Sequence, residues 1–192
     1  EDAKNLNIKN VLVTSTSEVY GTAYKHQLSE NDLVHAQSPY AASKIAADQL
    51  AMSYYLSFNL PVKIIRPFNT FGPRQSFRAV IPTVISQILE KKRIGIGNID
   101  STRDFTFVKD LCDAFYKIHG SKKCIGQILN VGSGKEIKVN KIAQLIGGKK
   151  IHISKRYTET ERSLANITKV KREFKWKPKI TIEEGVKDLL GL

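Results

Sequence analysis

Cysteine is scarce in this 192-residue chain: there are only two, Cys112 and Cys124, and they form no CxxC pair. Nothing suggests a disulfide framework, and the expectation is a reducing, cytoplasmic compartment. Four histidines are scattered without metal-ligand spacing, so no metal site is expected. No apolar run approaches the roughly 18 residues that a membrane span needs. The opening "EDAKNLNIKN" is too charged and polar to be read as a secretory signal. There is no internal repeat and no low-complexity segment. Two glycine-rich spots fail as nucleotide motifs. "GIGN" (95–98) has Asp100 where GxGxxG requires its third glycine. "GSGK" (132–135) has Leu129 where a P-loop needs its first glycine, and Glu136 follows its lysine.

What is present is basic. Thirty-one Lys and Arg face 18 Asp and Glu, a net charge of +13. The lysines are spread through "EKKRIG", "GSKKC", "GGKKI" and "KVKREFKWKPK", with no interleaved aromatic row. That distribution favours a solvated basic surface over a nucleic-acid face. The sign of the field also suits an anionic small molecule such as a diphosphate. With 41% hydrophobic residues, the chain is long enough for one domain with a real core.

Apolar patterning gives the elements. "NVLVTST" (10–16) and "PVKIIRP" (61–67) are short β-branched runs expected as strands, the first of them buried. Between them, "GTAYKHQLSENDLVHAQ" is a polar loop, and residues 39–58 form a helix opened by Ser38 and Pro39. This helix is apolar nearly all round, which implies burial on more than one side, by its own sheet and by a partner subunit. Further helices are expected over 79–92, 109–120 (closed by Gly120) and 138–148, with a capping-box start at "TIEE" (181–184). "RDFTFV" (103–108), "QILNVG" (127–132) and "KIHISK" (150–155) are expected strands. Strand and helix alternate, which predicts parallel βα units and an α/β layer fold. Ligands of open parallel sheets bind beyond the carboxyl ends of strands, and three polar clusters lie there: "TSTSE", "RPFN" and "NVGSG".

Tyr40 and Lys44 in "SPYAASK" are four apart and share one helix face. Tyrosine is ordinarily a poor base near neutral pH, and a neighbouring ammonium favours the phenolate. The pair suits removal of a proton from an alcohol as hydride leaves its carbon. It is also no more than a regular helix opening, and alone it decides nothing.

The company it keeps is more specific. "TSTSEVYG" (14–21), "SPYAASK" (38–44), "RPFNTFGPRQ" (66–75), "RDFTFVKD" (103–110), "NVGSG" (130–134) and "FKWKPK" (174–179) follow in that order. Together they resemble the extended short-chain dehydrogenase/reductase family, and within it the nucleotide-sugar 4,6-dehydratases. Thr16, Ser17 and Glu18 match the Thr-Ser-Glu version of GDP-mannose dehydratases. The runs around 66–89 and 101–110 look closest to retaining N-acetylglucosamine 4,6-dehydratases of legionaminic-acid type. UDP-glucuronate decarboxylases also carry Thr-Ser-Glu, so they stay open, as do epimerases on the same scaffold. A non-catalytic dimerisation or binding module is the alternative of another class.

The resemblance implies NAD as cofactor and a nucleotide diphosphate sugar as substrate. Tyr40, with Lys44, would take the 4-hydroxyl proton as hydride passes from C4 to NAD⁺. Glu18 would remove the C5 proton, the 6-hydroxyl would leave, and hydride would return to C6 to give a 4-keto-6-deoxy sugar. Thr16 would bond the 4-hydroxyl, and Ser17 stands where other members have an acidic Asp. Thr14, Ser15 and Pro67 would line the cofactor, and Asn69, Arg78, Arg103 and Arg156 the substrate. Each has a plainer alternative: Glu18 as a turn carboxylate, Asn69 as a loop cap, Arg103 paired with Asp104 or Asp110. Arg66 is expected to be structural. In the segment 161–179, Asn166 and Lys175 depart from the family's usual Asp and Gly.

The implied layout places residues 1–75 in the C-terminal part of a Rossmann-like NAD-binding domain. Residues 76–192 then form mainly a smaller α/β substrate-binding domain, with 101–131 partly returning to the first. The family's opening strand, glycine turn and helix are expected upstream of Glu1, so the 192 residues alone are expected to bind NAD poorly and to be inactive. A homodimer through helix 39–58 is expected, with neither nucleic acid nor membrane as partner.

Overall fold

A computed structural model describes residues 1–24, 27–90, 94–96, 98, 100–147, 150–152 and 160–191. A short helix, α1 (Asp2–Asn5), leads into β1 (Val11–Thr14). One 3₁₀ turn over Ser17–Tyr20 follows and closes on Gly21 at φ 69°. A side chain there would be doubly excluded: the backbone is left-handed, and a Cβ would lie 2.8 Å from the His35 carbonyl oxygen.

α2 (Pro39–Phe58) fills its expected span. The Ser38 hydroxyl accepts the Ala41 amide at 3.1 Å and Pro39 opens the first turn, so the start is fixed twice over. The helix stops at Asn59, which takes a left-handed φ of 53°. β2 (Val62–Pro67) and β3 (Asn69–Phe71) follow, then α3 (Val80–Leu89), β4 (Ile94–Ile96), β5 (Thr102–Phe107) and α4 (Val108–His119). Gly120 ends α4 at φ −68°, so it stops the helix without using glycine's left-handed freedom. β6 (Gln127–Val131), β7 (Glu136–Lys138), α5 (Val139–Ile146), β8 (Lys150–His152), α6 (Thr168–Phe174) and α7 (Ile182–Leu190) complete the order. The capping box expected at α7 is formed, with Thr181 and Glu184 bonding reciprocally. Residues 153–155 of the expected strand lie outside the described residues.

The strands make a parallel sheet β1-β2-β6, a sheet β3-β5-β7 in which only β7 runs antiparallel, and a parallel pair β4-β8. In the first sheet β2 is central and both its faces are covered. Val62 and Ile64 pack with Ala51, Met52, Tyr54 and Tyr55 of α2. Ile65 and Leu129 face Ala114 and Ile118 of α4 and the buried Trp176. Each fully buried Ile or Leu contributes about 2 kcal/mol. The second sheet has its own core: Phe71, Phe105 and Phe107 against Ile81, Ile142, Ile182 and Val186 from α3, α5 and α7.

One expectation changes here. β1 is half-buried rather than buried, because it is an edge strand that pairs only with β2 among the described residues. Within the single chain, α2 buries Ala41 and Asp48 and leaves Leu50, Leu56 and Phe58 exposed, where a partner subunit is expected.

Buried polar groups tie the layers together. Lys63, in the middle of β2, donates to the carbonyls of Ile118 (2.7 Å) and Ser121. A cation is favoured at the C-terminal end of α4, although burial pulls the Lys63 pKa down. Asp110 accepts the amides of Lys179 (2.9 Å) and Ile180 (2.8 Å), anchoring the approach to α7. Asp104 accepts four bonds: the Ser133 amide and hydroxyl (2.6 Å each), the Gly134 amide (2.8 Å) and the Ala165 amide (3.1 Å). Burial pushes the Asp104 carboxyl up and these donors pull it back. The Gly-Ser-Gly loop that fails as a P-loop therefore wraps a carboxylate of its own chain.

Candidate active site

Parallel pairing brings the ends of β1, β2 and β6 to one side of the first sheet, at Thr14, Pro67 and Val131. α2 begins above these ends. Lys44 reaches down and its Nζ donates to the Thr14 carbonyl at 3.0 Å. The same Nζ lies 6.0 Å from the centroid of the Tyr40 ring, which is 50% exposed. The i, i+4 spacing thus does what the sequence implied: one lysine is fixed to the sheet and faces one phenol ring.

Past Thr14 the chain stays bonded to β2 for one more residue, as the Ser15 amide donates to the Ile65 carbonyl at 2.7 Å. Thr16 then caps the 3₁₀ turn, its Oγ1 accepting the Glu18 amide at 3.2 Å. Ser15, Thr16 and Ser17 are buried, and α2 packs against the turn that carries them. Glu18 keeps a solvent-facing side, yet the protein crowds its carboxyl enough to push its pKa up. Arg103 opposes that rise through its charge. Arg103 comes from β5 of the other sheet and is buried, its Nη1 donating to the carbonyls of Thr102 (3.0 Å) and Glu161 (3.3 Å). Its two sequence-suggested partners hold other groups: Asp104 clips the Gly-Ser-Gly loop, and Asp110 the segment before α7.

The structure thus gathers Thr14, Ser15, Thr16, Ser17, Glu18, Tyr40 and Lys44 around one strand end, with Arg103 acting on Glu18 from the second sheet. Pro67 is half-buried at the end of β2, and Asn69 is exposed at the start of β3. Arg78 is exposed just before α3, and its amide donates to Ser76 Oγ at 3.3 Å. Arg156 lies outside the described residues. Among the described residues no group of three or more His, Cys, Asp or Glu could hold a metal ion. No helix among them is long and apolar enough to cross a membrane. A cavity of about 290 Å³ lined by Glu30, Asn31, Asn166, Thr168, Lys169 and Arg172 contains none of these site residues.

Sequence reasoning missed what lies beneath them. Arg66 pairs with Asp48 of α2, Nε and Nη2 reaching Oδ2 at 3.0 and 2.9 Å, and the two side chains are 3% and 1% exposed. The Arg66 guanidinium carbon sits 4.8 Å over the ring of Tyr20, whose hydroxyl donates to Asn130 Oδ1 at 2.8 Å. Asn130 Nδ2 in turn donates to the Leu28 carbonyl at 3.0 Å. Arg66 is structural, as expected. The signal for its partner was legible: Asp48 is four residues after Lys44, a lone acid in an apolar helix.

The family model described as GDP-mannose 4,6 dehydratase matches residues 1–189. The chain belongs to that family. An uncharacterized UDP-glucose epimerase, YtcB of Bacillus subtilis, is 30% identical over 193 residues, covering 97% of this chain and 61% of its own. The dTDP-glucose 4,6-dehydratase of Bacillus anthracis, solved in complex with NAD, is 30% identical with a TM-score of 0.88, covering 95% of this chain and 60% of its own. The UDP-glucuronic acid 4-epimerase of Bacillus cereus, solved with UDP-glucuronic acid and NAD, is 27% identical with a TM-score of 0.92, covering 96% and 61%. The chain therefore spans about three fifths of the length of these relatives. The α/β fold with a Rossmann-like parallel sheet is that of nucleotide-sugar dehydratases and epimerases, and family members perform both reactions.

Proposed function

We propose that this family member is a nucleotide-sugar 4,6-dehydratase acting with NAD. The observation that carries the reading is Glu18: a carboxyl whose pKa is raised by crowding, on a turn that α2 packs against, where a base for a carbon acid is needed. A 4-epimerase, which only oxidises and re-reduces C4, needs no base at C5.

Residues of the chain fit the cofactor. Ser15 Oγ is a buried hydroxyl with no hydrogen-bond partner among the described residues, next to exposed Thr14 and close to the Tyr40/Lys44 face. Thr14, Ser15, Pro67, Tyr40 and Lys44 would hold the nicotinamide end. When bound, NAD supplies the reversible hydride acceptor that oxidation at C4 and reduction at C6 both require. Tyr40 takes the proton from the 4-hydroxyl, and the Lys44 ammonium stabilises the charge left on the phenol oxygen. Thr16 orients that hydroxyl. The 4-ketone acidifies C5–H, and Glu18 removes the proton as the 6-hydroxyl departs. Ser17 can relay a proton to that leaving oxygen but is a weak acid by itself. Arg103, with Asn69, Arg78 and Arg156, meets the diphosphate, for which a guanidinium fork is suited. A second copy of the chain across the outer face of α2 belongs to the same reading, as do residues 1–75 as part of the NAD-binding domain.

The mass of the product tests it. Incubation of nucleotide sugars and NAD with the chain, co-expressed with the N-terminal Rossmann half of a relative, should yield a product lighter by one water. An unchanged mass with altered stereochemistry would establish an epimerase, and loss of carbon dioxide a decarboxylase.

A further inference from the structure

The site is assembled from pieces that the chain delivers separately. Tyr40 and Lys44 ride on α2, Glu18 on the 3₁₀ turn, and Pro67 at the end of β2. One buried guanidinium touches all three pieces. Arg66 stands next to Pro67 in β2, pairs in a fork with Asp48 of α2 and covers Tyr20, the last residue of the 3₁₀ turn. Tyr40, Lys44 and Asp48 are spaced i, i+4, i+8, so the pair lies on the same face of α2 as the two chemical residues. Fixing Asp48 therefore fixes the rotation of α2 about its axis. Tyr20 is held from its other end by Asn130 of β6, so the network also reaches the third strand end.

Stability alone does not explain such a pair. Well-packed apolar residues serve a buried position as well or better, and buried ion pairs are best understood where they fix one register among several. The apolar pattern of α2 runs nearly all round and selects its rotation weakly, so polar ties matter: the Lys44–Thr14 bond is one, and the Asp48–Arg66 pair is the buried one. We propose that Arg66, with Asp48, is the positioning residue of this site: it sets the rotation of α2 and the seat of the Glu18 turn in one frame, so that phenol and carboxyl address the same substrate. The inference rests on the reading of Tyr40, Lys44 and Glu18 as the reacting groups.

The test is Tyr-¹³Cζ NMR on the 192-residue chain, the Tyr40 signal being assigned by Tyr40→Phe. The informative variant is the apolar pair Asp48→Leu with Arg66→Met, expected to melt near the parent temperature. Arg66→Lys is the second variant, which keeps the charge but loses the fork. In both, the Tyr40 and Tyr20 signals should shift or split, while those of Tyr24 and Tyr116, exposed on other elements, stay in place. Hydrogen exchange at the amides of residues 17–20 and 41–45 should quicken by about tenfold or more, as local opening of a loosened unit requires. Unchanged Tyr40 signals and exchange in either folded variant would overturn the proposal, for the pair would then be a dispensable structural tie. The reading it rests on fails separately. If saturating NAD with UDP-glucose, GDP-mannose or dTDP-glucose leaves the Tyr40 signal in place when the unaltered chain is co-expressed with the N-terminal Rossmann half of a relative, the acid/base assignment is wrong, whatever the variants show.

Discussion

Gly185 sits inside α7, where replacing glycine by alanine ordinarily helps: helix propensity alone favours Ala by about 1 kcal/mol. Here the sign should reverse. A Cβ on Gly185 would lie 2.6 and 2.7 Å from Cζ and Cε2 of Phe71 and 2.8 Å from Cδ2 of Phe107. Carbon atoms rest at about 3.5–4.0 Å, so the overlap is roughly 1 Å against two rings at once. The rings have no slack: Phe71 packs edge-on against Phe107 at 5.3 Å and Phe105 at 6.3 Å between centroids. Overpacking of this kind costs about 1–3 kcal/mol. Set against the propensity gain, Gly185→Ala should destabilise by up to about 2 kcal/mol, lowering Tm by up to about 8 °C at this chain length. Thermal unfolding followed by circular dichroism measures it directly. A Tm at or above that of the parent would show that α7 moves freely over the second sheet and that the steric reasoning is wrong. The effect should also reach the substrate side, since Phe71 shares β3 with Asn69 and Phe107 shares β5 with Arg103.

Other expectations concern charge and surface. The fold raises the Glu18 pKa, so ionising it costs stability as pH climbs through the ordinary carboxylate range and beyond. Glu18→Gln should therefore raise Tm near pH 7 and leave it unchanged near pH 3, by less than about 1 kcal/mol because the carboxyl is partly solvated. The same variant should lower dehydration by about 10²–10⁴-fold, read as product lighter by water, and undiminished turnover would remove Glu18 from the mechanism. Glu136 behaves oppositely. Arg162 and Thr102 hold its pKa down, so it stabilises at neutral pH and that contribution fades as pH falls through the lowered value. Glu136→Gln should lower stability at pH 7 by about 1 kcal/mol or less and make no difference in strong acid. Leu50→Glu, on the exposed face of α2, should leave the fold intact and abolish self-association in sedimentation velocity; a parent that is already monomeric would refute the dimer.

Long, regular elements were legible because local chemistry and tertiary packing agree there. Ser38-Pro39 fixes the start of α2, and Thr181 and Glu184 fix that of α7, by hydrogen bonds within a few residues. β3, β4 and β7 are three residues each, too short to show a period. The 3₁₀ turn and α6 went unread because residues such as Val19, Tyr20 and Val170 are buried by distant partners rather than by local pattern. In the site, Tyr40 and Lys44 could be paired from spacing alone. The influence of Arg103 on Glu18 could not, since 85 residues separate them and two different sheets bring them into range. The polarity of Asp48 within an apolar helix was the one clue to the buried pair, and its meaning depends on Arg66 arriving from the neighbouring strand.

The carboxylate inside the Gly-Ser-Gly loop has a consequence for which anions this protein can bind. A turn of successive amides attracts phosphate when it is empty. In this chain Asp104 is tethered in place and occupies the Ser133, Gly134 and Ala165 amides as an intramolecular ligand, which a free anion would have to displace. The loop is thus satisfied from within: on the proposed function it does not divert a diphosphate from the strand ends, and changes in phosphate or salt should not loosen the joint between β5, β6 and the segment around Ala165. On that reading, where a nucleotide lands is decided partly by closing the wrong door from the inside.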